Sequence, residues 1–340
     1  MNGVFNATWL MSQHFPAVQY AVPGVIPEGF TLLAGAPKAG KSWFALDLAF
    51  QIATGGTALG KLPVGRRRPV LYAALEDGPR RLQSRLHALG VTEGPTHLDF
   101  ATMLPGDPIE TLRRWMADAA GTNPVIILDT LGKVERSARG GETDYARDYR
   151  VGGELKALTD SNPGSSLVAV HHTRKAVSED FLDMVSGTQG LAGSADSIVV
   201  LRRNRTETTG CLSVTSRDAA EGEYRVELDG HRWTLVGDSL EAAAVAQSDA
   251  KATDNVGSDM ATLIAEVQKH PQGVSPKDLK QGLPGIAGKV DVYLQRAAEG
   301  GRIVKLQRGL YGPVSSVSSV SFEGSSNEPD TSDTPLEFVA

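Results

Sequence analysis

Short runs of consecutive apolar residues recur along the first two-thirds of the chain, and each ends on a glycine or a polar residue. Residues 31–34 run into Gly35, 69–75 into Glu76, 124–128 into Asp129, and 166–170 into His171 and His172; 98–103 is a weaker member of the series. Within the runs, apolar residues do not alternate with polar ones. The pattern therefore predicts strands buried on both faces, as in a parallel sheet. Between them lie stretches with helical character: 43–53, a helix opening near Pro79 and running to about 89, 107–120 with Pro108 in its first turn, and 144–159 despite Gly152 and Gly153. This alternation predicts an α/β fold, a mostly parallel sheet with helices on both faces, binding ligands at the carboxyl ends of its strands.

The pattern changes after residue 193. Residues 197–201, 210–216, 223–228 and 231–235 read as short strands joined by turns such as Asp229-Gly230, extending the sheet with antiparallel hairpins. Residues 1–30 form a turn-rich lead-in whose apolar side chains would cover a sheet edge. Residues 55–65 read as a loop ending in a solvated turn, Arg66-Arg67-Arg68, and 176–193 as a flexible Gly/Ser-containing stretch. The first domain is thus expected over 1–237. Residues 238–256, rich in Ala, Ser and Asp, read as a linker, and 314–340 as a disordered tail. Between them, 257–313 shows three helical stretches (260–269, 275–281, 287–299) and a two-stranded ribbon (302–311), the pattern of a winged helix-turn-helix.

Composition narrows the possibilities. The 340 residues carry a net charge of −6, so the whole molecule is no basic nucleic-acid coat. Residues 257–313 differ, with eight Lys and Arg against five Asp and Glu. Lys289 and Arg296 on its third helix could contact phosphates; a protein-docking role is the alternative. The single cysteine, Cys211, excludes an internal disulfide framework and cysteine-clustered zinc. No apolar run reaches the length of a membrane span, and no signal peptide is apparent, so a soluble cytoplasmic protein without membrane partners is expected.

The first strand leads into Gly35-Ala36-Pro37-Lys38-Ala39-Gly40-Lys41-Ser42, which is G-x-x-x-x-G-K-[ST], the phosphate-binding P-loop. The glycines let successive backbone N–H groups turn toward phosphate oxygens. Lys41 reaches the β- and γ-phosphates of a nucleotide, the Ser42 hydroxyl binds Mg²⁺, and the helix that continues through Trp43 directs its N-terminal dipole at the same anion. Asp129, closing a later apolar strand, has the position of a Walker B aspartate that holds the Mg²⁺. Glu76 closes the strand after the P-loop helix, where a carboxylate can take a proton from the attacking water; Asp77 competes for that role. His172, with His171, would act as a hydrogen-bonding sensor of the γ-phosphate, and Gln189 could report phosphate state to a substrate loop. Arg202, Arg203 and Arg205, with Arg217 after the next strand, are candidates for an arginine finger completing a neighbouring subunit's site.

Taken together, the segments 35–42, 71–77, 125–129, 170–175 and 186–193 resemble the RecA-like P-loop ATPases, and within them the RepA-type hexameric replicative helicases of plasmids and phages. The resemblance implies an ATP-hydrolysing motor on single-stranded DNA, using ATP and Mg²⁺ and forming a homo-oligomeric ring, a hexamer, or else a filament, with replication proteins as partners. ATP would sit between subunits, and loops 130–143 and 174–193 would hold the strand through Lys133, Arg136, Arg139, Arg174 and Lys175. Phe181 is the aromatic residue in those loops, so base stacking would be minor. The alternative is a RecA-like regulatory switch that binds duplex DNA or a protein through its winged helix, without unwinding.

Overall fold

The computed structural model describes residues 4–134, 141–172, 189–204, 206–253 and 256–314. In chain order, α1 (Ala7–Ser12) precedes a small hairpin, β1 (Tyr20–Val22) and β2 (Ile26–Pro27), and then β3 (Gly29–Gly35) leads into α2 (Lys41–Thr54). A second hairpin, β4 (Thr57–Ala58) and β5 (Leu62–Pro63), precedes β6 (Val70–Ala74), α3 (Pro79–Ala88), β7 (Leu98–Ala101), α4 (Pro108–Asp118) and β8 (Val125–Asp129). Next come α5 (Asp144–Asp160), β9 (Ser166–His172), α6 (Gln189–Ser194) and β10 (Ser197–Arg203), followed by β11 (Thr209–Ser216), β12 (Gly222–Asp229) and β13 (Arg232–Leu235).

The nine-stranded sheet has the order β13-β12-β11-β10-β3-β9-β8-β6-β7. From β10 to β7 all neighbours are parallel, and from β10 to β13 all are antiparallel. The expected antiparallel extension is present, although β10 belongs to both halves: it pairs parallel with β3 and antiparallel with β11. Register sets the layers. Leu33 stands opposite Val170 and Val199, and all three face the core beneath α2, which contributes Phe44, Leu48 and Ile52. One residue earlier, Leu32, Ala169 and Ile198 face the opposite core, under Ile109, Leu112 and Met116 of α4 and Leu155 and Leu158 of α5. Each fully buried aliphatic side chain contributes about 1.5–3 kcal/mol, so the two layers lock the sheet. That rigidity holds the strand ends where the candidate chemistry lies.

Three expectations are corrected. The lead-in does not merely cover an edge: Ala21, Val22, Val25 and Ile26 enter the core on the α2 face. Arg68 is not part of a solvated turn. It is buried, donating to the carbonyls of Asn123 and Gly164, at the amino ends of β6, β8 and β9. Residues read as a linker form helix α7 (Leu240–Thr253), because its small residues pack without an obvious apolar stripe: Ala243 and Ala252 are buried.

The chain divides into compact units at Gln247 and Ser248. The second unit contains α8 (Ser258–Gln268), α9 (Pro276–Gly282) capped by Ser275, a 3-10 turn (Pro284–Lys289), α10 (Val290–Glu299) and a ribbon of β14 (Val304–Gln307) and β15 (Leu310–Gly312). Leu263, Ile264, Val267, Leu279 and Leu294 anchor its own core. Among the described residues, no helix is long and apolar enough to cross a membrane.

Candidate active site

Five parallel strands end along one edge of the sheet, and each brings candidate residues there. β3 leads into the P-loop, whose Gly40 caps α2 with φ +104, a conformation that favours glycine. A Cβ at Gly40 would also lie 2.9 Å from Trp233 Nε1, and one at Gly35 would collide with the Leu201 carbonyl oxygen. The glycines therefore allow both the backbone turn and the close approach of β10 at Gly35 and β13 at Gly40.

Lys41 folds back into the loop. Its Nζ donates to the carbonyls of Gly35 (2.7 Å) and Ala36 (3.0 Å) and lies 3.1 Å from His172 Nδ1. An ammonium group has no acceptor, so Nδ1 accepts and the His172 ring is neutral. Burial lowers the Lys41 pKa to about 8, against the pull of Asp129 and Glu76. Burial, and then Lys41 itself, lowers that of His172. Burial is likewise the main reason the His171 pKa falls to about 4.

Asp129 is buried at the end of β8, and burial raises its pKa despite the Tyr72 and Ser42 hydroxyls, which lower it. Tyr72 Oη donates to Asp129 Oδ2 at 2.6 Å. Burial, with the neighbouring Asp129, holds the Tyr72 phenol well above its usual pKa. Asp129 Oδ1 is buried with no hydrogen-bond partner. An unpartnered carboxylate oxygen is costly, and a cation bound there would remove the cost. The pair Ser42 and Asp129 therefore fits a Mg²⁺ that keeps several waters and takes its remaining ligands from phosphates.

Glu76 follows β6 and is exposed, and its Oε1 accepts from Thr130 Oγ1 at 3.1 Å. Thr130 follows Asp129 directly, so this hydrogen bond places the candidate base beside the candidate metal ligand. The competing Asp77 is occupied by ion pairs to Arg81 (2.7 Å) and Arg85.

The candidate arginines separate. Successive β10 residues point to opposite faces. Arg202 Nη2 lies 2.5 Å from Glu223 Oε1 and 3.0 Å from Ser213 Oγ, across the neighbouring strands. Arg203 turns to its own P-loop, donating to the carbonyls of Glu207 (2.9 Å) and Lys38 (3.3 Å), with its guanidinium 5.8 Å from the Trp233 ring centroid. Arg217 leaves the site: β11 is antiparallel, so its end lies at the opposite edge, where Arg217 is 3.9 Å from Asp196. Trp43 projects from α2 and stacks on His231 at 4.1 Å, with Arg85 over its ring.

Of the candidate nucleic-acid residues, Lys133 is exposed on the 3-10 turn Leu131–Lys133. Arg136, Arg139, Arg174, Lys175, Phe181 and Arg205 lie outside the described residues, as does the side chain of Gln189 at the start of α6. In the second unit Lys289 pairs with Asp259 at 2.7 Å, and Arg296 is exposed.

The family model described as an AAA domain matches residues 5–178. The chain belongs to that AAA family. The matched span holds the P-loop, Glu76, Asp129 and His172, while Arg202, Arg203 and Trp233 lie beyond it. Among solved structures, this AAA chain is similar to one described as "ATPase Domain of G40P", with TM-score 0.50 and 14% identity over 62% of this chain and 85% of that one. It is also similar to one described as "The Structure Of A DnaB-Like Replicative Helicase And Its Interactions With Primase", with TM-score 0.49 and 14% identity, covering 62% of this chain and 59% of that one. At such identity the first likeness speaks for the fold, a RecA-like P-loop fold.

Sequence reasoning passed over Tyr72, Thr130 and Trp233. Tyr72 had a weak signal, a hydroxyl within an otherwise apolar strand run. Thr130 had only its position after Asp129. Trp233 had none, since its seat on Gly40 depends on β13 crossing back to α2.

Proposed function

We propose that this chain hydrolyses ATP with Mg²⁺ and uses the cycle to move along single-stranded DNA, as a replicative helicase of the RepA type working as a ring, a hexamer, with ATP between subunits. The observation that carries this reading is the convergence of Lys41, Ser42, Asp129, His172 and Glu76 on one sheet edge. Ser42 and Asp129 would hold the Mg²⁺, which would supply charge neutralisation to the phosphates. Lys41 exchanges its two carbonyl partners for phosphate oxygens. Glu76, oriented by Thr130, accepts a proton from water. His172 senses the terminal phosphate through Lys41. Arg203 donates to the Lys38 carbonyl of its own P-loop, which supports a finger for the neighbouring subunit coming from elsewhere in the 202–205 cluster.

The test compares ATP turnover with and without single-stranded DNA, in wild type and Glu76→Gln. Removing a general base costs about 10²–10⁴ in rate. Stimulation by DNA, with Glu76→Gln binding nucleotide normally but turning over at least about a hundredfold slower, supports the reading. No stimulation sinks the motor, and equal turnover removes Glu76.

A second reading draws on the C-terminal unit, which has its own core and, over residues 257–313, eight Lys and Arg against five Asp and Glu. Its three helices and ribbon suit a winged helix-turn-helix, making the chain an ATP-dependent switch on duplex DNA or a protein. Duplex binding without strand separation would favour it.

A further inference from the structure

Helix α5 opens with two exposed tyrosines one turn apart. Tyr145 is 55% exposed and Tyr149 54%, and their rings lie within 16° of parallel with centroids 6.3 Å apart. Neither belongs to an apolar cluster. The backbone beneath them is tightly held. At Gly190, α6 crosses so closely that an added Cβ would lie 2.5 Å from Tyr145 O and 2.6 Å from Tyr149 N. Ser194 Oγ lies 3.3 Å from Tyr149 O, and the Thr143 hydroxyl accepts from Ala146 N at 3.2 Å. Arg150 clamps Glu142 through two hydrogen bonds of 2.9 Å.

The surroundings point to a ligand class. Gly132 and His171 line one small pocket with Arg147 of α5. The turn bearing exposed Lys133 therefore sits against the same part of α5, and His171 adjoins His172 and its contact with Lys41. Isolated exposed aromatics need no explanation. A parallel pair on a fixed backbone, on the helix that shares a pocket with Gly132 and His171, presents two π-faces at one place. Unpaired bases stack on such faces regardless of sequence, while cations follow the phosphates.

We propose that Tyr145 and Tyr149 form a stacking platform for unpaired bases of single-stranded DNA, with Lys133 contacting the backbone. This rests on the single-strand reading above and adds the residues that grip bases, a role the loop sequences alone left almost without aromatics.

The experiment measures binding of the full chain to a labelled oligo-dT and to an abasic strand of equal length. It compares wild type, the double variant Tyr145→Ala/Tyr149→Ala and the ring-preserving Tyr145→Phe/Tyr149→Phe. Nucleotide binding without DNA and sedimentation are recorded for each. The alanine pair is expected to lose about tenfold or more in oligo-dT affinity, since each stacked base contributes measurably. The phenylalanine pair is expected to keep it, the abasic strand to bind wild type and the alanine pair alike, and nucleotide binding to be unchanged. If wild type binds oligo-dT and the alanine pair binds it equally, the platform is overturned while the single-strand reading stands. Equal wild-type affinity for oligo-dT and the abasic strand also overturns it. Loss of DNA binding together with a change of assembly size would make the patch a subunit interface, overturning it too. Failure of wild type to bind either strand would sink the single-strand reading itself.

Discussion

At the scale of single residues, Lys41 carries the clearest pH signature. Burial holds its pKa at about 8, so in the absence of nucleotide it is charged at neutral pH and loses that charge as pH rises through about 8. Phosphates favour its charged form and would raise that pKa. Below about 8 the lysine is already protonated, and binding takes up nothing. Above about 8 it must gain a proton to bind, so affinity falls as pH rises. Calorimetry at about pH 8–9 in buffers of different ionisation enthalpy should therefore show uptake approaching one proton. Lys41→Ala should lose both the uptake and most of the affinity. Equal apparent enthalpies in all buffers would mean that the burial of Lys41 has no role in binding.

Elements show why part of this was legible and part was not. Strands β3, β6, β8 and β9 are buried on both faces, and double burial leaves an unbroken apolar run that any reading recovers. Helix α7 left no such trace because alanines pack without forming a hydrophobic stripe. Arg68 was misread because its partners are carbonyls before β8 and β9, distant in sequence. The candidate residues at strand ends were visible as breaks in apolar runs, and the motif spacing named their chemistry. Their supports were not visible: Tyr72 on Asp129, Thr130 on Glu76 and Trp233 on Gly40 depend on strand order. The amino-end pin yields a prediction of its own. Arg68→Met keeps the volume but strips two carbonyls of their donor, each costing about 1–3 kcal/mol when buried. The urea midpoint should fall by an amount equivalent to about 2–6 kcal/mol with an unchanged slope. Nucleotide affinity of the folded protein should stay the same, because the pin lies at the opposite edge. A variant as stable as wild type would show that water replaces the guanidinium.

At the scale of the molecule, the two compact units, each with its own apolar core among the described residues, imply two cooperative units. The first holds the phosphate site and both faces of the sheet, and the second is closed around Leu263, Ile264 and Leu294. The division falls within α7, whose Ala243 is buried in the first core and Ala252 in the second. Ligand binding stabilises only the unit that contains the site, by about 2.7 kcal/mol at a hundredfold excess over Kd. Calorimetric melting of the full chain should therefore show two transitions, of which ATP analogue with Mg²⁺ raises only one. A chain ending at Thr253 keeps α7 entire and should retain the responsive transition and lose the other. If one transition carries the whole enthalpy and shifts as a whole, the units unfold together and the second core depends on the first. If the shortened chain no longer responds to nucleotide, the phosphate site needs residues beyond α7, and the C-terminal unit would then belong to the nucleotide-binding machinery.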